Sequence, residues 1–239
     1  MLFPKEFFDL LLKFAQKISE INQISFEESL FLYTCLPIRI GLGFSELTVD
    51  NPIWLDFISN MKDKFGTDQV YTYYLEHTKD KEFRRKQFGC FSYDWEEDKS
   101  LIRIHFANND NSPSGVLSPE RRTIRISELK EMFSDVKIKY PRAMKVVSAS
   151  WLYNINSFKE LFPRELFEHS KEKVDYYSLG IWGQFIDKKG NLKIDSADTF
   201  MKAVRNANSM EDVNNAFPLK NLYVEEQISC FYTFYNIKE

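Results

Sequence analysis

Between residues 88 and 194 the chain alternates apolar runs of strand length with stretches of helical spacing, and this alternation limits the folds open to it. Residues 88–95 and 101–107 are aromatic or β-branched runs separated by the charged segment 96–100, the pattern of an antiparallel hairpin. A polar loop over 108–118 follows, containing Pro113 and Gly115. Ser118, Pro119 and Glu120 then open a helix whose expected buried stripe is Ile124, Leu129, Met132 and Phe133. Residues 144–149 form a third apolar run. It ends on small hydroxyl residues and passes through Trp151, Tyr153 and Asn154 into a helix from Ser157, which Pro163 divides. Residues 176–186 and 192–194 read as two further strands around a turn at 187–190. Strands joined through single helices require parallel pairing at the centre of the sheet, with antiparallel flanks.

The flanking segments have helical periods. Phe7, Leu10, Leu11, Phe14 and Ile18 recur at three- and four-residue spacing. Ser25 with Glu28 has the form of a capping box. Asp50 with Pro52 opens a helix to about residue 64, and Thr67 opens another. Beyond the strands, 196–206, 210–216 and 222–235 read as helices, the last with Val224, Ile228, Phe231 and Tyr235 at core spacing. The expectation is an α+β fold with an α/β centre. A helical region over 1–85 packs on a mixed sheet within 86–239, with helices at the carboxyl end, as two domains or one continuous unit.

Composition narrows the function. The 239 residues carry 32 basic and 35 acidic side chains, a formal charge of −3, interspersed along the chain. That balance lacks the electrostatic footprint of nucleic-acid binding. Three widely spaced cysteines, Cys35, Cys90 and Cys230, form no disulfide framework, and neither they nor three isolated histidines have metal-ligand spacing. There is no run of eighteen apolar residues and no pattern of a signal peptide. A reduced, cytoplasmic, soluble protein is expected, without metal, nucleic acid or membrane, taking a small-molecule ligand and able to form a homodimer.

The order strand, strand, helix, strand, helix, strand, strand over residues 88–194 resembles the latter part of the GNAT N-acyltransferase fold. Ile104-His105-Phe106, Leu117-Ser118-Pro119-Glu120 and Ser150-Trp151-Leu152 are similar to the corresponding segments of bacterial acyltransferase-like proteins with a helical amino-terminal region and a GNAT-like carboxyl domain. Ser-Trp-Leu-Tyr-Asn followed by Leu-Phe-Pro also resembles bacterial proteins without an assigned activity. The resemblance implies an acyl-CoA cofactor between two splayed central strands, its pantetheine arm paired with backbone near Phe106 to Asn108, and a small amine as acceptor. The pyrophosphate would lie on the helix after the first of those strands. Here the loop NNDNSPSGVLSPE has a single Gly, two Pro that cannot donate, and acids at Asp110 and Glu120. Arg121 and Arg122 would have to compensate.

His105 is the candidate general base because imidazole titrates near neutral pH, with Asp94 across the hairpin as a candidate partner; the alternative is a structural bond to a backbone carbonyl. Ser148 and Ser150 alternate onto one strand face. They suit either a ligand carbonyl or phosphate, or the close approach of a neighbouring element. Trp151 and Tyr153 are pocket walls or core aromatics, and Asn154 is a cap. Trp182 and Gln184 share one face of the expected strand around Gly183, as a cleft wall or a bend. No G-x-S-x-G elbow surrounds either serine. The alternative to an enzyme is a non-catalytic binding or interaction module on the same scaffold.

Overall fold

A computed structural model describes residues 2–43, 46–61, 65–78, 85–110 and 115–238. The fold is α+β and divides into two compact units, one of Met1–Glu82 with Val174–Leu219, the other of Phe83–Lys173 with Lys220–Glu239. The stretch 174–219 therefore belongs with the helical region rather than with the sheet, unlike the division expected at residue 86.

The helical unit opens with α1 (Lys5–Asn22), which buries Phe7, Leu11, Phe14 and Ile18 along one stripe and stops where Gln23 turns left-handed. Then come α2 (Phe26–Tyr33), α3 (Leu36–Ile40), α4 (Pro52–Asn60) and α5 (Thr67–Thr78). Ser25 caps α2 by accepting from the Glu28 amide at 3.1 Å. Asn51, not Asp50, caps α4, its side chain accepting from Ile53 N at 2.9 Å. Residues 62–64 at the end of the expected fourth helix lie outside the described residues.

The same unit takes up the stretch read as a strand over 176–186. That stretch is a turn followed by α8 (Leu179–Trp182) and a 3-10 turn, Gly183–Phe185. Leu192 forms only an isolated bridge with Ile186. The aromatic content that suggested a strand has a different use. Trp182 and Phe185, three residues apart, enter a core with Phe14, Phe200 and Phe217, where the Phe14 and Trp182 rings meet edge to face at 5.0 Å. Ser178 starts the turn of helix by accepting from Gly180 N at 3.1 Å. Then α9 (Ile194–Asn206) and α10 (Met210–Ala216) follow, α10 with a complete capping box of Ser209 and Asp212.

The sheet unit contains β1 (Phe91–Glu96), β2 (Leu101–Phe106), α6 (Arg122–Lys139), β3 (Lys145–Ser150), α7 (Asn156–Lys159) and β4 (Lys171–Glu172). It ends with β5 (Leu222–Gln227) and α11 (Ile228–Phe234). The helix expected over 222–235 is thus half strand. Val224, Ile228, Phe231 and Tyr235 all reach the core, but Val224 does so from the inward face of β5. The strand order is β1-β2-β3-β5-β4. β1 and β2 form the expected hairpin, and β2 and β3 are parallel; β5 runs antiparallel to both β3 and β4.

Alternation sorts the two faces of the sheet. Phe91, Ile102, Ile104, Val146 and Val224 join Leu129, Met132, Phe133 and Val136 of α6 in one core. Asp94, Glu96, Arg103, His105, Tyr223 and Glu225 lie on the opposite face. The stripe of α6 differs from expectation at one position: Ile124 is 40% exposed, and Arg125 is buried in its place.

Candidate functional site

The β2–β3 ladder is incomplete. It pairs Leu101 with Lys145, Ile102 with Val146 and Arg103 with Val147, and then stops, although each strand continues for three more residues. Those residues are held from the outer sides, β2 by β1 and β3 by β5. Beyond the last pair, Ser148 Oγ donates to the Ile104 carbonyl at 3.3 Å. The next backbone groups that alternate toward the facing strand, those of Phe106 and Ala149, have no partner in this ladder. Two parallel strands thus part at their carboxyl ends, where α/β sheets place ligands.

On the solvent-reached face, His105 Nε2 lies 2.8 Å from Asp94 Oδ2, and Arg85 Nε donates to the other carboxylate oxygen at 2.6 Å. The hairpin register produces the contact: Asp94 is opposite Arg103, one diagonal step from His105 on the same face. Burial pushes the Asp94 carboxyl up, but the bonds from His105 and Arg85 outweigh it and hold the group well below the usual carboxylate range. His105 is therefore partnered by a carboxylate rather than by a backbone carbonyl. Arg103 makes a separate pair with Glu96 at 2.8 Å.

On the core face the opening is bordered by aromatics. Tyr153 is buried against Phe158, Phe162 and Phe167, with ring centroids between 5.3 and 5.7 Å. Burial pushes its phenol up, opposed by the Ser148 hydroxyl. Ser148 and His105 consequently lie on opposite faces of the sheet. Phe106 packs on Phe91 and Phe158, at 5.4 and 5.3 Å. Ser150 ends β3 by accepting from Leu152 N at 3.1 Å, which turns the chain into a 3-10 segment, Trp151–Asn154. Asn154 then ties that segment to the approach of β5 by donating to Lys220 O at 2.7 Å. Ser150 and Asn154 are thus turn-forming residues, and Trp151 is half-buried in the first turn.

The loop after β2 reaches α6 through Asp110, with Asn108 half-buried; residues 111–114 of the expected phosphate loop lie outside the described residues. Arg121 Nε donates to Asp110 Oδ2 at 2.9 Å, and Arg125 donates to the same oxygen. Arg125 is 2% exposed. It also contacts Cys90 Sγ and donates to Glu128 Oε2 at 2.9 Å. Burial pushes the Glu128 carboxyl up, although the Cys90 amide and Arg125 pull the other way. Gly89 permits this approach: its φ is +59°, and a Cβ there would stand 1.9 Å from Glu128 Oε1. Arg122 reaches the Glu160 carbonyl at 3.3 Å. A cavity of about 80 Å³ lies between the start of α6 and α7, lined by Ser118, Arg122, Arg125, Ser157 and Glu160 among others. A larger depression of about 350 Å³ lies in the helical unit among Lys13, Lys17, Met201 and Arg205.

His105, Phe106, Asn108, Arg121, Arg122, Ser148, Ser150 and Trp151 all belong to the sheet unit, on elements meeting at the ends of β2 and β3. Trp182 and Gln184 belong to the helical unit. Trp182 Nε1 donates to Tyr176 O at 2.8 Å in the helical core, and Gln184 is 5% exposed, bonded to Ile181 and Leu219. Arg125 and Glu128 were missed by sequence reasoning. The available signal was a cation on the apolar stripe Leu129, Met132, Phe133 and Val136, four residues before Leu129. Among the described residues no group of three or more His, Cys, Asp or Glu is placed to hold a metal ion, and no helix is long and apolar enough to cross a membrane. No protein-family model, no curated protein and no solved structure matches this chain.

Proposed function

We propose that the sheet unit binds an acyl-CoA where β2 and β3 part and transfers the acyl group to a small amine, in the manner of the GNAT N-acyltransferases it resembles. The observation that carries this reading is the parallel β2–β3 pair whose ladder stops at Arg103 and Val147. The order β1-β2-β3-β5-β4, with α6 joining the parallel pair, supports it. A pantetheine arm has amide donors and acceptors that match the backbone edges of Phe106 and Ala149. Its phosphates would approach the first turn of α6, where Arg122 faces the cavity.

His105, oriented by Asp94, accepts the proton of the attacking amine directly or through one water. The amine nitrogen forms the new bond to the thioester carbon, the carbon–sulfur bond breaks, and the thiolate leaves as CoA thiol by taking back, through water, the proton held on His105. Much of the rate would come from holding amine and thioester together. Titration calorimetry with acetyl-CoA and longer acyl-CoAs tests the first step. Absence of binding at millimolar ligand would overturn the reading.

A second reading, a non-catalytic binding module, is favoured by one observation. Arg121 and Arg125 already serve Asp110 and Glu128, and the cavity beside them is far smaller than a CoA molecule. Under this reading acyl-CoA binds, or another small ligand does, but no amine accelerates thiol release.

A further inference from the structure

Asp110 puts a carboxylate where the start of α6 would otherwise present guanidinium groups to a ligand. Its Oδ2 accepts from Arg121 through both Nε and Nη2, and from Arg125 through Nη2. Three N–H groups of two arginines thus converge on one oxygen. Arg125 is all but fully buried, lines the adjoining cavity, and has an Nε for which no hydrogen-bond partner is present among the described residues. Glu128 takes a second bond from Arg125, and Glu160 pairs with Arg122 on the cavity wall, so the donor left over for a further acceptor is the buried Arg125 Nε.

We propose that Asp110 is a resident anion that closes this site, and that a diphosphate must displace it from Arg121 and Arg125 in order to bind. The inference rests on the acyl-CoA reading for the identity of the natural ligand, but not for the competition itself. In chemical terms, one charge-assisted acceptor is exchanged for another on the same pair of guanidinium groups. The diphosphate brings additional oxygens, one of which can satisfy Arg125 Nε. Asp110 then sets how much affinity the ligand must supply before the site opens, as any competing closed state does.

The test is calorimetric titration of inorganic pyrophosphate into the full chain and its Asp110→Asn variant. Removing the competing charge should tighten pyrophosphate binding by about tenfold or more. Equal or weaker binding by the variant, or none by either form, overturns the proposal. Should the variant fail to fold, hydrogen exchange on the wild-type chain decides. Saturating pyrophosphate should speed exchange at residues 107–110 and slow it in the first turn of α6; binding that leaves 107–110 unchanged overturns the proposal. CoA titrated in parallel separates this idea from the one it rests on. Tighter pyrophosphate binding by the variant, with no CoA binding to either form, keeps the resident anion and removes the acyl-CoA reading. CoA binding of equal strength in both forms does the reverse.

Discussion

Arg125→Ala should destabilise the sheet unit far more than an ordinary helix substitution. The guanidinium is 2% exposed and bonds Asp110, Glu128 and the Cys90 sulfur. Removing it leaves the Glu128 carboxylate, among the described residues, with the Cys90 amide at 3.1 Å as its hydrogen-bond donor, while Asp110 keeps Arg121. Breaking a buried pair on one side costs about 3–5 kcal/mol, and the surviving Arg121 contact places this case near the lower end. For a domain of about 100 residues, roughly 4 °C of melting temperature accompanies each kcal/mol, so a fall of about 12 °C is expected at pH 7. The sign with pH follows from Glu128. Burial already raises its pKa in the folded chain, so it takes up a proton early as pH falls. Once neutral it no longer needs a counter-charge, and the difference between variant and wild type should shrink toward pH 4. Thermal unfolding followed by circular dichroism at both pH values measures this. A fall below about 3 °C at pH 7, or one that grows toward pH 4, would refute the reasoning.

His105→Gln should lower the turnover of acyl transfer by about 100-fold or more, and Asp94→Asn by about tenfold, with acyl-CoA binding unchanged in both; thiol release against acyl-CoA concentration separates the two parameters. Ser148→Val should weaken acyl-CoA binding by at least about tenfold, because it puts branched bulk beside the Ile104 carbonyl where the strands part; calorimetry reads this directly. Gln184→Leu should cost about 2–3 kcal/mol of stability by leaving the Leu219 amide and carbonyl unpaired, yet leave acyl-CoA binding intact. Asp94 and Asp135 have folded pKa values depressed by their cationic and hydrogen-bonding partners, against the desolvation that opposes the shift. Their stabilising contribution is full above about pH 4 and is lost as pH falls through the lower folded values, which an acid-unfolding curve of Asp94→Asn against wild type should show as a shallower transition.

Much of the sheet was legible because period-two alternation is a strong signal where one face is buried. The hairpin of β1 and β2 follows from it, and the helix after Ser118 follows from its capping residue, Pro119 and a stripe of helical spacing. The partnership of Asp94 with His105 was legible for the same reason, since alternation puts both on one face. The errors have separate causes. Val224, Ile228, Phe231 and Tyr235 have helical spacing across a junction of strand and helix, so periodicity alone could not find β5. Residues 176–186 are rich in side chains that favour strands, but their aromatics fill a helical core, and tertiary packing overrode local preference. Choosing Ile124 over Arg125 for the buried stripe followed hydrophobicity. The register of α6 instead buries the cation, because Asp110 and Glu128 are there to pair with it. Asp110 read as a repulsive charge near a phosphate; in the fold it is the partner of two arginines, a relation between distant positions that no local pattern encodes.

The parting of β2 and β3 is tested most directly by residue-resolved amide exchange at Phe106 and Ala149, measured by NMR with and without acetyl-CoA. If the pantetheine arm takes up the backbone groups that the ladder leaves open, exchange should slow at both residues and remain unchanged at Ile102 and Val147, which the ladder already pairs. Acetyl-CoA that binds without protecting either amide, or an absence of binding, would contradict the account.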